Sequence, residues 1–256
     1  MLLQRPKLWQ IPQPTPAVYA ALAQKAAVLQ QRLRDIVARH AKVKLASSLA
    51  AEDMVITDAL AQQCLQTDMQ TNTQASARVE VFTLQTGRLH AETLALSEAV
   101  QQRYPQLSFR LYQPDAQAVA DYGQTHGENA FYDSVALRRQ CCEIRKVAPL
   151  NRALQDADAW LTGQRREQSA TRGELALAEH DDTRNIPKYN PIFDWSEQDV
   201  WAYILQFDIP YNALYRRGYP SIGCEPCTMP VKAGHDIRSG RWWWESRDSK
   251  ECGLHQ

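Results

Sequence analysis

The sequence carries no net charge, because 29 Lys and Arg are matched by 29 Asp and Glu. Without a global field of either sign there is no argument for binding nucleic acid or a membrane surface, and any anion site has to be a local cluster. Long apolar runs are missing too. No stretch approaches the ~18 consecutive apolar residues of a membrane span. The opening MLLQRPKLWQIPQPTP holds prolines and glutamines where a secretory signal would hold an apolar run. These absences predict a cytoplasmic protein in a reducing compartment, where paired cysteines bind metal or do redox chemistry more often than they form disulfides. There is no repeat and no low-complexity segment. What is present is ordinary for a globular protein: 256 residues, 44% hydrophobic and 23% charged, enough for a sizeable core.

Five of the six cysteines fall into three groups: Cys141-Cys142, Cys224-x-x-Cys227, and Cys252 near the end. Four thiolates satisfy one tetrahedral metal or one four-iron four-sulfur (4Fe-4S) cube. Taken alone, CxxC also suits a dithiol redox pair or half of a zinc site. Arg138, Arg139, Arg145 and Lys146 flank the vicinal pair and could offset a cluster's negative charge or hold an anion beside it. Cys252 is left over for chemistry: Lys250 and His255 lie near enough in sequence to favour its thiolate. Cys64, in AQQCLQ, reads as a buried bystander.

Apolar residues recur at helical spacing from Pro16 to His40, after an irregular arm over 1–15. Strands are expected at 43–49, 79–84, 107–113 and at the end of 157–164, and helices at 51–65, at 90–104 and from Asp115. This alternation predicts an α/β fold: a mostly parallel sheet with helices on both faces. After about residue 185 the pattern gives way to one helix, Ser196 to Phe207, whose Ser196 and Asp199 form a capping pair. Turn-rich sequence and a polar tail follow. The expected division is an N-terminal arm and helix over 1–41, a main domain over 42–244 with a C-terminal cysteine-bearing extension, and a mobile tail over 245–256.

Two junctions could take a phosphate. Ser47 and Ser48 stand between a strand and a helix N-terminus, where backbone N–H groups can face an anion, although they could equally cap the helix. Thr86, Gly87 and Arg88 follow the second strand, at the sheet edge where ligands of open parallel sheets gather. Arg165, Arg166, Arg172, Arg238 and Arg241 supply forked donors suited to phosphate or sulfate oxygens.

CCEIRKVAPL, LTGQRREQSATR, YPSIGCEPCT, GRWWWE and the terminal KECGLH together closely resemble the assimilatory adenylylsulfate reductases, within the wider family that includes the 3′-phosphoadenylylsulfate reductases. The likeness runs from about residue 42 to the C-terminus. It implies the adenine-nucleotide α-hydrolase-like fold and thioredoxin-dependent reduction of adenosine 5′-phosphosulfate to sulfite and AMP. It further implies a 4Fe-4S cluster on Cys141, Cys142, Cys224 and Cys227. Cys252 is then the nucleophile that carries a thiosulfonate, with His255 in support. Lys146, Arg172, Arg238 and Arg241 match phosphosulfate contacts, and the loops at Ser47–Ser48 and Thr86–His90 match nucleotide-binding segments. The partners implied are the nucleotide and thioredoxin, with neither nucleic acid nor membrane; a homo-oligomer is compatible. Three residues depart from the family's usual loops: Leu49 and Ala50 in SLAAED stand for an aromatic and a glycine, and Gln85 for an aspartate. The rival readings are 3′-phosphoadenylylsulfate reduction, sulfur insertion into RNA, and a non-catalytic zinc or iron–sulfur module. The two cysteine pairs, the absence of an SGGxDS loop and the otherwise unused KECGLH tail weigh against these in turn.

Overall fold

Short runs rich in Val, Leu and Ala form the three central strands, and their alternate side chains meet different helices. The computed structural model describes residues 6–71, 78–168 and 174–245. Strands β1 (Val43–Ala46), β2 (Val79–Leu84), β3 (Ser108–Tyr112), β4 (Ala159–Leu161), β5 (Ala178–Asp181) and β6 (Ile186–Tyr189) form one sheet in the order β3-β2-β1-β4-β6-β5. All neighbours are parallel except the β5–β6 pair. The strand order turns back between β1 and β4, which opens a crevice at their carboxyl ends.

Val43, Leu45, Val79, Val81, Ala159 and Leu161 face a core shared with α1 (Pro16–Arg39), α2 (Ala51–Thr71), α3 (Ala91–Arg103) and α7 (Glu197–Gln206). Phe82 and Trp160 face the other way, against Leu150, Ala153 and Leu154 of α6 (Ala148–Leu154). The expected helices on both faces are therefore present, and the one expected from Asp115 is α4 (Ala116–His126), capped by the Asp115 side chain. The segment after residue 185 adds no separate core: β6 extends the sheet, and Trp195, Trp201 and Tyr203 join the main cluster. Cys64 is buried in the same cluster.

Two elements escaped the sequence reading. The β5–β6 hairpin is short and polar, and its edge position needs no apolar alternation. One continuous helix runs from α5 (Val135–Cys142) through a π turn at Glu143–Val147 into α6. The expected strand at 43–49 ends at Ala46, and Leu49 takes a left-handed backbone (φ 61°) that rules out strand at that end of the range. Ser196 caps α7 as expected, in a reciprocal box with Asp199. Among the described residues, no helix is long and apolar enough to cross a membrane.

Candidate active site

A cleft of about 260 Å³ opens at the carboxyl ends of β1, β2 and β4, just under the ~300–1,000 Å³ usual for small-molecule sites. Ser47, Ser48, Thr86, Lys146, Arg238 and Arg241 all line it. Beside it, Cys141, Cys142, Cys224 and Cys227 line one small apolar hollow, with Arg88, Arg138 and Arg145. Lys146 and Cys224 line both spaces, so the two share a wall.

The strand-to-helix junction is built from the inside. Ser47 N–H donates to Phe82 O (2.8 Å), and the Leu49 N–H donates to Ser47 Oγ (3.2 Å). Ser48 gives both its N–H (2.7 Å) and its hydroxyl (2.8 Å) to Asp53 Oδ2. The Ala51 N–H, in the first turn of α2, donates to the Tyr215 hydroxyl (2.9 Å). Protein groups thus already satisfy donors that a phosphate loop would offer. Burial pushes the Asp53 carboxyl up to about 6, against the pull of its Ser48 hydrogen bonds. A Cβ on Gly163 would fall on Asp53 Oδ1, so glycine there lets β4's end approach the carboxylate. Asp53, Gly163 and Tyr215 line the cleft but were not singled out from the sequence. Their signal lies only in packing.

The second loop is stitched to the CxxC. Thr86 Oγ1 lies 3.3 Å from Cys224 Sγ, Leu89 bridges Cys224 in antiparallel register, and Glu225 N–H donates to Arg88 O (2.8 Å). Gln85 Oε1 accepts the Gly87 N–H (3.0 Å), so the glutamine closes this turn with its side-chain carbonyl, as an aspartate could. Arg88 turns towards the cysteine hollow, donating to Asn129 Oδ1 and Glu128 O and covering the Phe131 ring. Gly87 and Arg88 are not part of the cleft lining.

The cations divide by role. Arg165 is buried against Glu52 (2.9 Å), and Arg166 donates to Leu175 O while covering Phe193. These two members of the basic set hold the fold together. Arg241 lies flat over Gly223, where a Cβ would collide with its guanidinium, and donates to Ser221 Oγ and Ile222 O. Arg145 donates to Thr86 O (2.7 Å) from the π turn. That turn carries Arg145 and Lys146 directly after the vicinal cysteines, so one helix faces both spaces; such bulges recur at functional sites.

Two of the four thiols, Cys141 and Cys227, are held towards their neutral form. Burial raises Cys141, and pushes Cys227 up to about 12 with nearby Cys224 adding to the effect. Among the described residues, no three His, Cys, Asp or Glu side chains are grouped to hold a metal ion. The four thiols around one hollow, with cations behind them, suit a polymetallic group of larger span. Arg172, Cys252 and His255 lie outside the described residues.

A family model for the phosphoadenosine phosphosulfate reductase domain matches residues 42–230. A Neisseria meningitidis serogroup B protein named adenosine 5′-phosphosulfate reductase is 57% identical over 99% of this chain and 98% of its own. A Burkholderia cepacia protein of the same name is 54% identical over 93% and 90%. The solved phosphoadenylyl-sulfate reductase of Candida auris shares the fold, with a TM-score of 0.64 at 24% identity over 86% of this chain and 100% of that one.

Proposed function

The chain belongs to the phosphoadenosine phosphosulfate reductase family, and from that premise we propose that it reduces adenosine 5′-phosphosulfate to sulfite and AMP in assimilatory sulfate reduction. The observation that carries this reading is the shared wall: the cleft at the carboxyl ends of the strands and a four-cysteine hollow meet at Lys146 and Cys224.

The chain's own residues supply the parts. Lys146, Arg238 and Arg241 bring positive charge to one side of the cleft, and Arg172 belongs with them by its motif. Such donors screen the approach of a thiolate to a sulfate ester anion and stabilise the phosphate that departs. Cys252 is the nucleophile. Its sulfur forms a bond to the substrate sulfur as the sulfur–oxygen bond to AMP breaks, leaving an enzyme thiosulfonate. A dithiol protein of the thioredoxin class attacks the Cys252 sulfur, releases sulfite and is oxidised by two electrons to its disulfide. His255 and Lys250 favour the thiolate form of Cys252. Cys141, Cys142, Cys224 and Cys227 would hold a 4Fe-4S cluster, which would supply charge beside the cleft while the electrons come from the dithiol protein. In this reading the chain comprises an arm and helix over 1–41, a reductase domain over 42–244 and a catalytic tail over 245–256, and acts in the cytoplasm.

Incubating the protein with adenosine 5′-phosphosulfate and no reductant should trap one sulfonate on the C-terminal peptide. Thioredoxin should then remove it, and Cys252→Ser should form none while still binding nucleotide. An adduct on another cysteine sinks the assignment. Faster turnover of the 3′-phosphorylated nucleotide would move the protein to the other branch of the family.

A further inference from the structure

Residues 7–11 line neither the cleft nor the cysteine hollow, yet they touch elements that build the cleft. The arm runs antiparallel to 231–233: Trp9 N–H donates to Val231 O (2.8 Å) and Ala233 N–H donates to Lys7 O (2.9 Å). Val231 N–H in turn donates to Gly218 O (2.8 Å), so this strip is gripped from two sides. The strip leads into the loop that carries Arg238 and Arg241, whose base is closed by Met229 N–H to Gly240 O (2.9 Å). Leu8 fills the hollow over Gly218, where a Cβ would sit 2.7 Å from the Leu8 Cβ. The Trp9 ring packs on Trp201 and Tyr215, with centroids 6.4 and 6.1 Å away. Tyr215 lines the cleft and accepts the Ala51 N–H at the start of α2.

We propose that segment 7–11 is a strap that positions the arginine-bearing loop, residues 229–241, and thereby sets nucleotide affinity. This rests on the reading of the cleft as a nucleotide site. Between Met229 and Ser239 the loop buries one apolar side chain, Val231, and forms neither helix nor strand. A segment with so few buried contacts is held by its hydrogen bonds, and two of those end on the arm. Trp9 therefore joins the two sides of the cleft: its backbone holds the loop and its ring backs Tyr215. Lys7, Leu8 and Trp9 are positioning residues, since none lines the cleft.

The test uses the full chain with Trp9→Ala, the milder Leu8→Ala, and Trp9→Phe, which keeps an apolar ring. If losing the strap leaves the loop competent about a tenth of the time, affinity weakens about tenfold. Trp9→Ala should then raise both the KM for adenosine 5′-phosphosulfate and the calorimetric Kd for AMP by about that factor. Its kcat should hold within about twofold, amide exchange at 231–241 should quicken, Leu8→Ala should show the same pattern more weakly, and Trp9→Phe should restore binding. A lower melting temperature with unchanged KM and Kd would overturn the proposal, as would a fall in kcat at constant KM. If the unaltered protein made no sulfite, the reaction reading would fail, while AMP affinity and amide exchange would still judge the strap.

Discussion

The two sides of the cleft differ in which donors they leave facing it. On the β1–α2 side, backbone and hydroxyl donors are turned inward: Ser48 serves Asp53, and Ala51 serves Tyr215. On the far side, Lys146, Arg238 and Arg241 bring side-chain charge to the cavity, and Arg241 is pressed over Gly223 to reach it. On the proposed reading, anion recognition rests on side chains of a π turn and an irregular loop more than on a helix N-terminus. Backbone dipoles favour an anion in one fixed place, whereas long cationic side chains can follow a group whose charge shifts from sulfate to departing phosphate. The neutral whole conceals this split, since Glu52 and Asp53 occupy the acidic side while Arg165 is consumed in holding Glu52.

The largest expected effect concerns the four cysteines beside the cationic side. Anaerobically purified protein should be brown with about four irons per chain, and Cys224→Ser should lose both iron and sulfite production. A single zinc per chain with full activity would refute the cluster.

Arg241→Ala should cost on the order of 1.5–3 kcal/mol in kcat/KM, the range for hydrogen bonds to charged groups. Ser48→Ala should cost less, because the Ser48 hydroxyl is already committed to Asp53. If Ser48→Ala proved the more damaging of the two, the junction would be the anion site and the comparison would be reversed.

Asp53 sharpens the acidic side. Its folded-state value of about 6 lies above the ordinary 3.8, so its contribution to stability is full at acid pH and is lost as pH rises through 6. Between about pH 4 and 6, the unaltered protein should therefore lose stability relative to Asp53→Asn, by up to ~1.4 kcal/mol for each pKa unit of separation. Urea midpoints across that window would show it, and a constant difference between the two proteins would count against a buried, high-pKa carboxyl.

Thr86→Val should have the smallest effect. Removing one hydroxyl contact to Cys224 Sγ and the Arg88 N–H acceptor should cost about 0.5–1.5 kcal/mol of stability, measurable by chemical unfolding. A loss of all activity would mean that Thr86 touches the reacting groups.

Much of the fold could be read from the chain because its signals are local. Pro16 and the apolar spacing after it mark α1, and Ser196 with Asp199 marks the start of α7 within one turn. The β5–β6 hairpin was invisible because an edge pair of AEHD and IPKY has no period to detect. The helix through Cys141 and Cys142 was missed because its π turn breaks the regular spacing. Within the cleft, Ser47, Ser48, Thr86, Lys146, Arg238 and Arg241 were found from motifs, and the structure brings them together. Asp53, Gly163 and Tyr215 were not found, since their importance comes from contacts between segments far apart in sequence.

By itself the sequence determined the alternation of strands and helices, the cysteine inventory and the family, all of which are written in residue types at short spacing. Only the tertiary structure decided which arginines face the cleft and which hold the frame. It also decided that donors at the β1–α2 junction are taken by Asp53 and the Tyr215 hydroxyl, and that an N-terminal arm grips the loop bearing Arg238 and Arg241. The physical reason is that a side chain's charge is fixed by its chemistry, but its partner is chosen by packing, and that choice determines whether the charge is left for a ligand.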